Sequence, residues 1–204
     1  VWQEDFTIPE SFVQITEGSG KKLHTFDRVV GANTVHDEIV VVGAPYLAAY
    51  SVVANALTIA GNDKLLVLFA GASEKLRVYR IRVQQAAIAS AGDLLVFGIS
   101  RTTSAGTGGT VLTPHPHETT DAASASAISK PTGGAALGVE IGRRFAPLLS
   151  TYPMGTFTEW VAVDGVKPIV IPAGTANGLA VVALGTPAGT PTVNVEIVFS
   201  AANF

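Results

Sequence analysis

Thr192-Val193-Asn194-Val195-Glu196-Ile197-Val198-Phe199 decides the fold class. Apolar and polar residues alternate almost strictly. Val193, Val195, Ile197 and Phe199 therefore share one face of an extended chain, the pattern of a half-buried strand. Valine and isoleucine are stiff at χ1 and suit the pleated surface. Just upstream, residues 178–184 form a continuous apolar run. Before that, Lys167-Pro168-Ile169-Val170-Ile171 is stopped by Pro172-Ala173-Gly174. The two runs predict a hairpin or neighbouring strands, joined by a turn rich in Gly, Pro and Asn. Further strands are expected over residues 38–42, 64–69, 75–83, 93–100 and 156–163. Within 75–83 the apolar parity shifts once, from Leu76 and Val78 to Tyr79, Ile81 and Val83. That shift predicts a β-bulge or burial on both faces. Asp121–Ser129 is rich in alanine, but its serines and the nearby Pro and Gly argue against a helix. Many short strands separated by Gly and Pro predict an all-β protein, a β-sandwich or jelly-roll-like fold, in one domain over 1–204.

Composition sets the outer limits. A chain of 204 residues buries about 70% of its unfolded surface, so a core needs no metal or disulfide. There is no cysteine, which excludes thiolate zinc sites, thiol catalysis and disulfides. Charged residues are 14% of the chain and hydrophobic residues 48%, against about 25% charged in an ordinary domain. Either a partner covers some apolar surface, or the surface is largely Ser, Thr, Ala and Gly. The net charge is −3, and the 13 Lys and Arg form no long run. A nucleic-acid partner is therefore not expected. No apolar stretch reaches the length of a transmembrane helix, so no membrane partner is expected either. The start, Val1-Trp2-Gln3-Glu4-Asp5, is acidic and lacks the basic region of a secretory signal.

One stretch breaks the rhythm of strands. Residues 102–134 hold Thr, Ser, Gly, Pro and Ala with few large apolar residues. So long a loop in a compact domain is uncommon. It is expected to be either a mobile surface loop or, as the sharper reading, an ordered arm across a neighbouring subunit, pre-extended by its prolines; a site loop is the third reading. Thr107, Pro114, Pro116 and Pro131 are its candidate contact residues, with Arg143 and Arg144 beyond it as ion-pair partners at an interface. Within the arm, His115-Pro116-His117-Glu118 places two imidazoles on one side of an extended chain, a weak metal candidate. Solvated loop histidines are the plainer reading, and no cofactor is expected. Gly106-Thr107-Gly108-Gly109-Thr110 lacks the Lys-Ser/Thr of a phosphate loop and reads as turn glycines. Arg77, Arg80 and Arg82 read as ion-pair partners. Trp2 and Trp160 could stack on a sugar, but an aromatic in a core or interface is commoner. No nucleophile motif is present, and no enzymatic role is expected.

Several blocks resemble a group of tailed-phage structural proteins. Phe69-Ala70-Gly71-Ala72-Ser73-Glu74-Lys75 leads into a basic strand that ends at Gln84-Gln85. Arg101-Thr102-Thr103-Ser104-Ala105-Gly106-Thr107-Gly108-Gly109-Thr110-Val111-Leu112-Thr113-Pro114 is similar to their R-x-T-x-A-G-T-G-G-T-x-x-T-P signature. Residues 167–174, followed by Asn177-Gly178, resemble their late hairpin, and Gly18-Ser19-Gly20-Lys21-Lys22-Leu23 an early segment. The family's acidic residue after the Thr-Pro-x-Pro stretch is replaced here by His117-Glu118, with Asp121 later. The resemblance implies a bacteriophage virion protein with a β-sandwich core and no catalytic residues. Within such families the location on the particle varies; the neutral, cysteine-free, low-charge chain suits a head decoration or cement protein, with the alternative of a tail or fibre-associated carbohydrate-binding module. The expected partners are the major capsid protein or other virion proteins and further copies of the chain, most simply as a homotrimer. The expected location is the phage particle, after synthesis in the host cytoplasm.

Overall fold

A computed structural model describes residues 25–30, 33–38, 48–87, 92–119, 121, 125–150, 157–163 and 167–202. The chain divides into two compact units, Val1–Pro45 and Tyr46–Phe204. In the first, β1 (Thr25–Val30) and β2 (Asn33–Glu38) pair antiparallel, with Thr25 opposite Glu38. The sandwich expected over 1–204 is built in the second unit.

That unit continues with β3 (Ala49–Thr58), β4 (Lys64–Phe69), β5 (Lys75–Gln85) and β6 (Asp93–Thr102). Five short strands follow: β7 (Gly106–Thr107), β8 (Thr110–Leu112), β9 (His115–Pro116), β10 (Ser126–Ser129) and β11 (Gly133–Gly134). The chain then forms β12 (Leu137–Leu148), β13 (Phe157–Val161), β14 (Ile169–Ile171), β15 (Gly178–Leu184) and β16 (Thr192–Ala202). Among the described residues there is no helix, and so none long and apolar enough to cross a membrane.

One sheet runs β12-β6-β15-β4-β10-β8, and the other β13-β5-β16-β3-β9. β14 shares the outer side of β5 with β13: Ile169 faces Val78, while Trp160 faces Ile81. Counting β13 and β14 as one position, the long strands fall into chain order second-seventh-fourth-fifth in one sheet. In the other they run first-eighth-third-sixth.

The alternation read in 192–199 positions the core. Val193, Val195, Ile197 and Phe199 point into the space between the sheets. There they meet Tyr50, Val52, Leu76, Val78, Ile81 and Val83 from their own sheet and Leu66, Leu68, Leu95, Phe97, Leu179 and Val181 from the other. The rings of Tyr50 and Phe199 stack with centroids 5.5 Å apart. The parity shift expected in β5 is a β-bulge. Arg80 lies opposite Val198 and Val78 opposite Phe199, so Tyr79 is the extra residue. The bulge lets Leu76, Val78, Ile81 and Val83 all reach the same core.

A second apolar cluster lies on the outer face of the β4–β15 pair. Val67, Phe69, Ala180 and Val182 are buried there with Ala135, and Ile128 packs against them. Full burial of side chains such as Val67 and Phe69 contributes ~1.5–3 kcal/mol each. The cover is the 102–134 run itself, the segment expected to cross onto a neighbouring subunit. Within this chain it pairs with strands of both sheets. β10 pairs with β4, β8 with β10, β7 with β11, and β9 with β3. Gly106 sits so close to the Phe69 ring that a Cβ would approach Cζ to 3.1 Å. Lys64 Nζ donates to the Gly134 carbonyl at 3.0 Å, and Lys130 Nζ lies 3.3 Å from Asp63 Oδ2. The glycines of 106–110 do turn the chain: Gly108 and Gly109 adopt φ of 70° and 73°, and at Gly109 a Cβ would strike the Ser129 carbonyl.

One sequence expectation needs correction, and two strands were missed. Runs 167–171 and 178–184 are not a hairpin. β14 joins β5 in one sheet, and β15 lies between β4 and β6 in the other. The intervening turn crosses the sandwich, because a continuous apolar run satisfies either sheet equally well. β3 was not foreseen, since its Ala, Ser and Asn give a weak strand signal. β12 was hidden by its Gly, Arg and Pro residues. The strand expected over 38–42 lies mostly outside the described residues.

Gly178 gives a direct test of this packing. A Cβ there would lie 2.6 Å from Thr102 Oγ1, 2.7 Å from the Leu68 carbonyl oxygen and 2.8 Å from Phe69 Cδ1. Gly178→Ala is expected to lower stability by ~1–3 kcal/mol in urea unfolding. Gly142→Ala, where a Cβ meets nothing within 4 Å, is expected to be neutral or slightly stabilising.

Candidate functional site

The sequence-derived candidates do not converge on one place. Thr107 is exposed in β7, where its carbonyl accepts from Thr132 N at 3.1 Å. Pro131 is half-buried in the same cover. Pro114 is buried, and Pro116 is half-buried in β9 opposite Tyr50. His115, opposite Ser51, and His117, whose backbone N–H donates to the Ala49 carbonyl at 2.8 Å, are both exposed. Among the described residues no three His, Cys, Asp or Glu side chains gather as a metal site. Arg80 and Arg82 are ion-pair partners, at 3.0 Å to Glu196 and 3.4 Å to Glu159. Arg77 lines an open cleft with Lys75, Lys167, Pro168 and Val170 on the outer face of its sheet. Trp160 is half-buried against the main core, which occupies the ring that could have stacked on a sugar. Trp2 lies outside the described residues.

Arg143 and Arg144 mark a more coherent surface. Among the described residues β12 is the edge strand of its sheet, paired with β6 alone. Its inner face contributes Ala146 and Leu148 to the core. The rest is exposed, including four large apolar side chains: Leu137, Val139 at 75%, Ile141 and Phe145 at 57%. On β6, Leu94 is 56% exposed and lies opposite Pro147, on the same face as Phe145 and half-buried Val96. Leu184 adjoins Val96 and reaches over Gly98, joining this strip to the covered cluster on the same sheet face. The cover shields β4 and β15, while most of β12 and Leu94 at the start of β6 remain exposed.

Local sequence explains the shape of this edge. Pro147 has no N–H to donate, and prolines in sheets belong on edge strands. Two register shifts, between Leu137 and Glu140 and between Glu140 and Gly142, break the pairing with β6. Such bulges twist an edge and restrict its pairing with other strands. They also bring Glu140 and Arg143 together. Arg143 Nε and Nη2 donate to the two carboxylate oxygens of Glu140, both at 2.8 Å. Arg144 turns the other way, toward β13, and Nε donates to the Glu159 carbonyl at 3.4 Å. It thus ties the edges of the two sheets together. At the far end, the buried Gln85 amide holds the chain after β12: Nε2 donates to the Leu149 carbonyl at 2.8 Å, and Oε1 accepts from Leu149 N at 2.9 Å.

The strip therefore holds five exposed apolar side chains around one internally neutralised ion pair. Arg143 was visible in the sequence, but Leu94, Val139, Ile141 and Phe145 were not singled out. Their signal was an apolar residue at every second position from 137 to 141, masked by the Arg-Arg and Pro that follow. Comparison of the chain with protein-family models, with characterised proteins and with solved structures finds no match.

The Arg143 hydrogen bond is the leading cause that holds the Glu140 pKa below the usual carboxylate value; the guanidinium charge adds to it against partial desolvation. A depressed pKa contributes stability that is present above the unfolded value and is lost as pH falls through the folded one. Carboxyl-carbon NMR is expected to place the Glu140 midpoint below ~4.3, the value of a free glutamate. In Arg143→Ala the midpoint should return toward that value.

Proposed function

We propose that this chain is a structural component of a tailed-bacteriophage virion, a head decoration or cement protein. It works by binding the major capsid protein or neighbouring virion proteins and further copies of itself, and it carries out no reaction and needs no cofactor. The observation that carries an assembly role is the apolar strip on β6 and β12, since exposed apolar patches rimmed by polar groups mark interaction surfaces. Two further observations support the virion reading. The strand order supports a jelly-roll-like reading of the sandwich, an architecture used by viral capsid domains. The Arg101–Pro114 block that resembles the phage signature has a structural task here: its glycines cover Phe69 and turn the chain between β7 and β8. A carbohydrate-binding tail module is less well supported, because Trp160 gives its ring to the core.

Gold-labelled antibody against the chain, viewed on purified particles by negative stain, tests the reading. Label over the head is the expected result. Label confined to the tail would contradict the head assignment, and particles without label would contradict a virion role.

A further inference from the structure

We infer that the β6–β12 strip is the contact made with a second copy of this chain. The inference rests on the assembly role proposed above and names its surface and its partner.

Area is the first argument. Leu94, Leu137, Val139, Ile141 and Phe145 have 56%, 43%, 75%, 41% and 57% of their surface exposed. With ~150–200 Å² available to each side chain, the strip presents about 500 Å² of apolar surface. A standard interface buries about 800 Å² per partner, of which ~55–65% is apolar. The exposed residues of β6 and β12 together supply close to that whole apolar share. Leaving it in water would place it at the top of the range of patches seen on monomers.

Charge selects the occupant. A contact between identical chains juxtaposes like with like, so an unbalanced charge on the surface would repel its own copy. On this strip Glu140 is held by two hydrogen bonds from Arg143, and Arg144 is turned away to the Glu159 carbonyl. On the sheet face that carries Phe145 and Leu94 the charges of β12 are Glu140 and Arg143, which pair with each other, while Arg144 keeps its charge on the other face; the net charge of −3 sets little repulsion between copies. The bulges at Glu140 and Gly142 disfavour simple extension of the sheet by an added strand, so side-chain packing of this face carries the contact.

Sedimentation velocity on the full chain tests the inference, with Phe145→Asp and Val139→Lys as disrupting variants and Val111→Asp as control. Val111 is 72% exposed on β8, at the opposite edge of the same sheet. The wild-type chain is expected to sediment as an oligomer, and Val111→Asp to match it. Each disrupting variant should weaken association by about 30-fold or more, with circular dichroism and melting unchanged. Two variants at separate positions guard against one that fails to fold. A wild-type chain that sediments as a monomer at tens of micromolar would overturn the inference, as would a folded Phe145→Asp or Val139→Lys that keeps the wild-type oligomer. Neither result would remove gold label from the particle, so the virion reading stands or falls separately.

Discussion

β4 and β15 are buried on both faces, and the rest of the sandwich is arranged around that constraint. Leu66, Val67, Leu68 and Phe69, like Leu179, Ala180, Val181 and Val182, are all nearly inaccessible to solvent. Alternate residues of each strand point into the space between the sheets, and the others point away from it. A strand of this kind cannot sit in a two-layer sandwich with one wet outer face. It needs a third layer. The 102–134 run supplies it, with β10 extending the sheet and Gly106, Ala135 and Ile128 closing over Phe69 and Val67. Glycine and small residues there are consequences of close approach. A bulky side chain at Gly106 would strike the ring that it covers.

The limits of the cover define the exposed surface. It reaches across β4 and β15, and Leu184 then carries the apolar face over Gly98 to the rim of the uncovered part. From there Val96, Leu94 and Phe145 continue the same face into solvent. One sheet face is thus part core and part exposed apolar surface. The low charge content of the chain has the same origin. Two layers of core plus one exposed strip leave few positions where a charge is compatible with packing. Some of the charges that remain are locked in pairs, such as Arg80 with Glu196 and Arg143 with Glu140.

Much of this was legible in the sequence where side-chain periodicity is strong. Strands 64–69 and 178–184 appear with their expected bounds, and the parity shift in β5 located a real bulge at Tyr79. The failures share a cause. A continuous apolar run reports burial on both faces but says nothing about which sheet it joins, so β14 and β15 were paired with each other and not placed in opposite sheets. β3 bends at Ala56, at φ 51°, where its N–H takes Asn194 Oδ1 in place of a strand partner. Its alanines gave no pattern strong enough to survive that break. In the 102–134 run the apolar residues are too small and too sparse to advertise a docking face. The binding information resides in Phe69 and Val67, far away in sequence. For the exposed edge, Arg143 stood out by its charge, while its apolar neighbours lay in a stretch whose Gly, Arg and Pro residues hid the strand.

Native-state hydrogen exchange tests the double-sided burial most directly. If the cover is the third layer of the fold, amides of Ile128 and Ala135 should exchange only through the same global opening that releases Val67 and Val181. Their opening free energies should then agree and fall together as urea is added. Fast exchange at Ile128 and Ala135 through small local openings, with Val67 and Val181 still fully protected, would contradict the account. It would mean that β4 and β15 keep their burial without the segment that is held here to provide it.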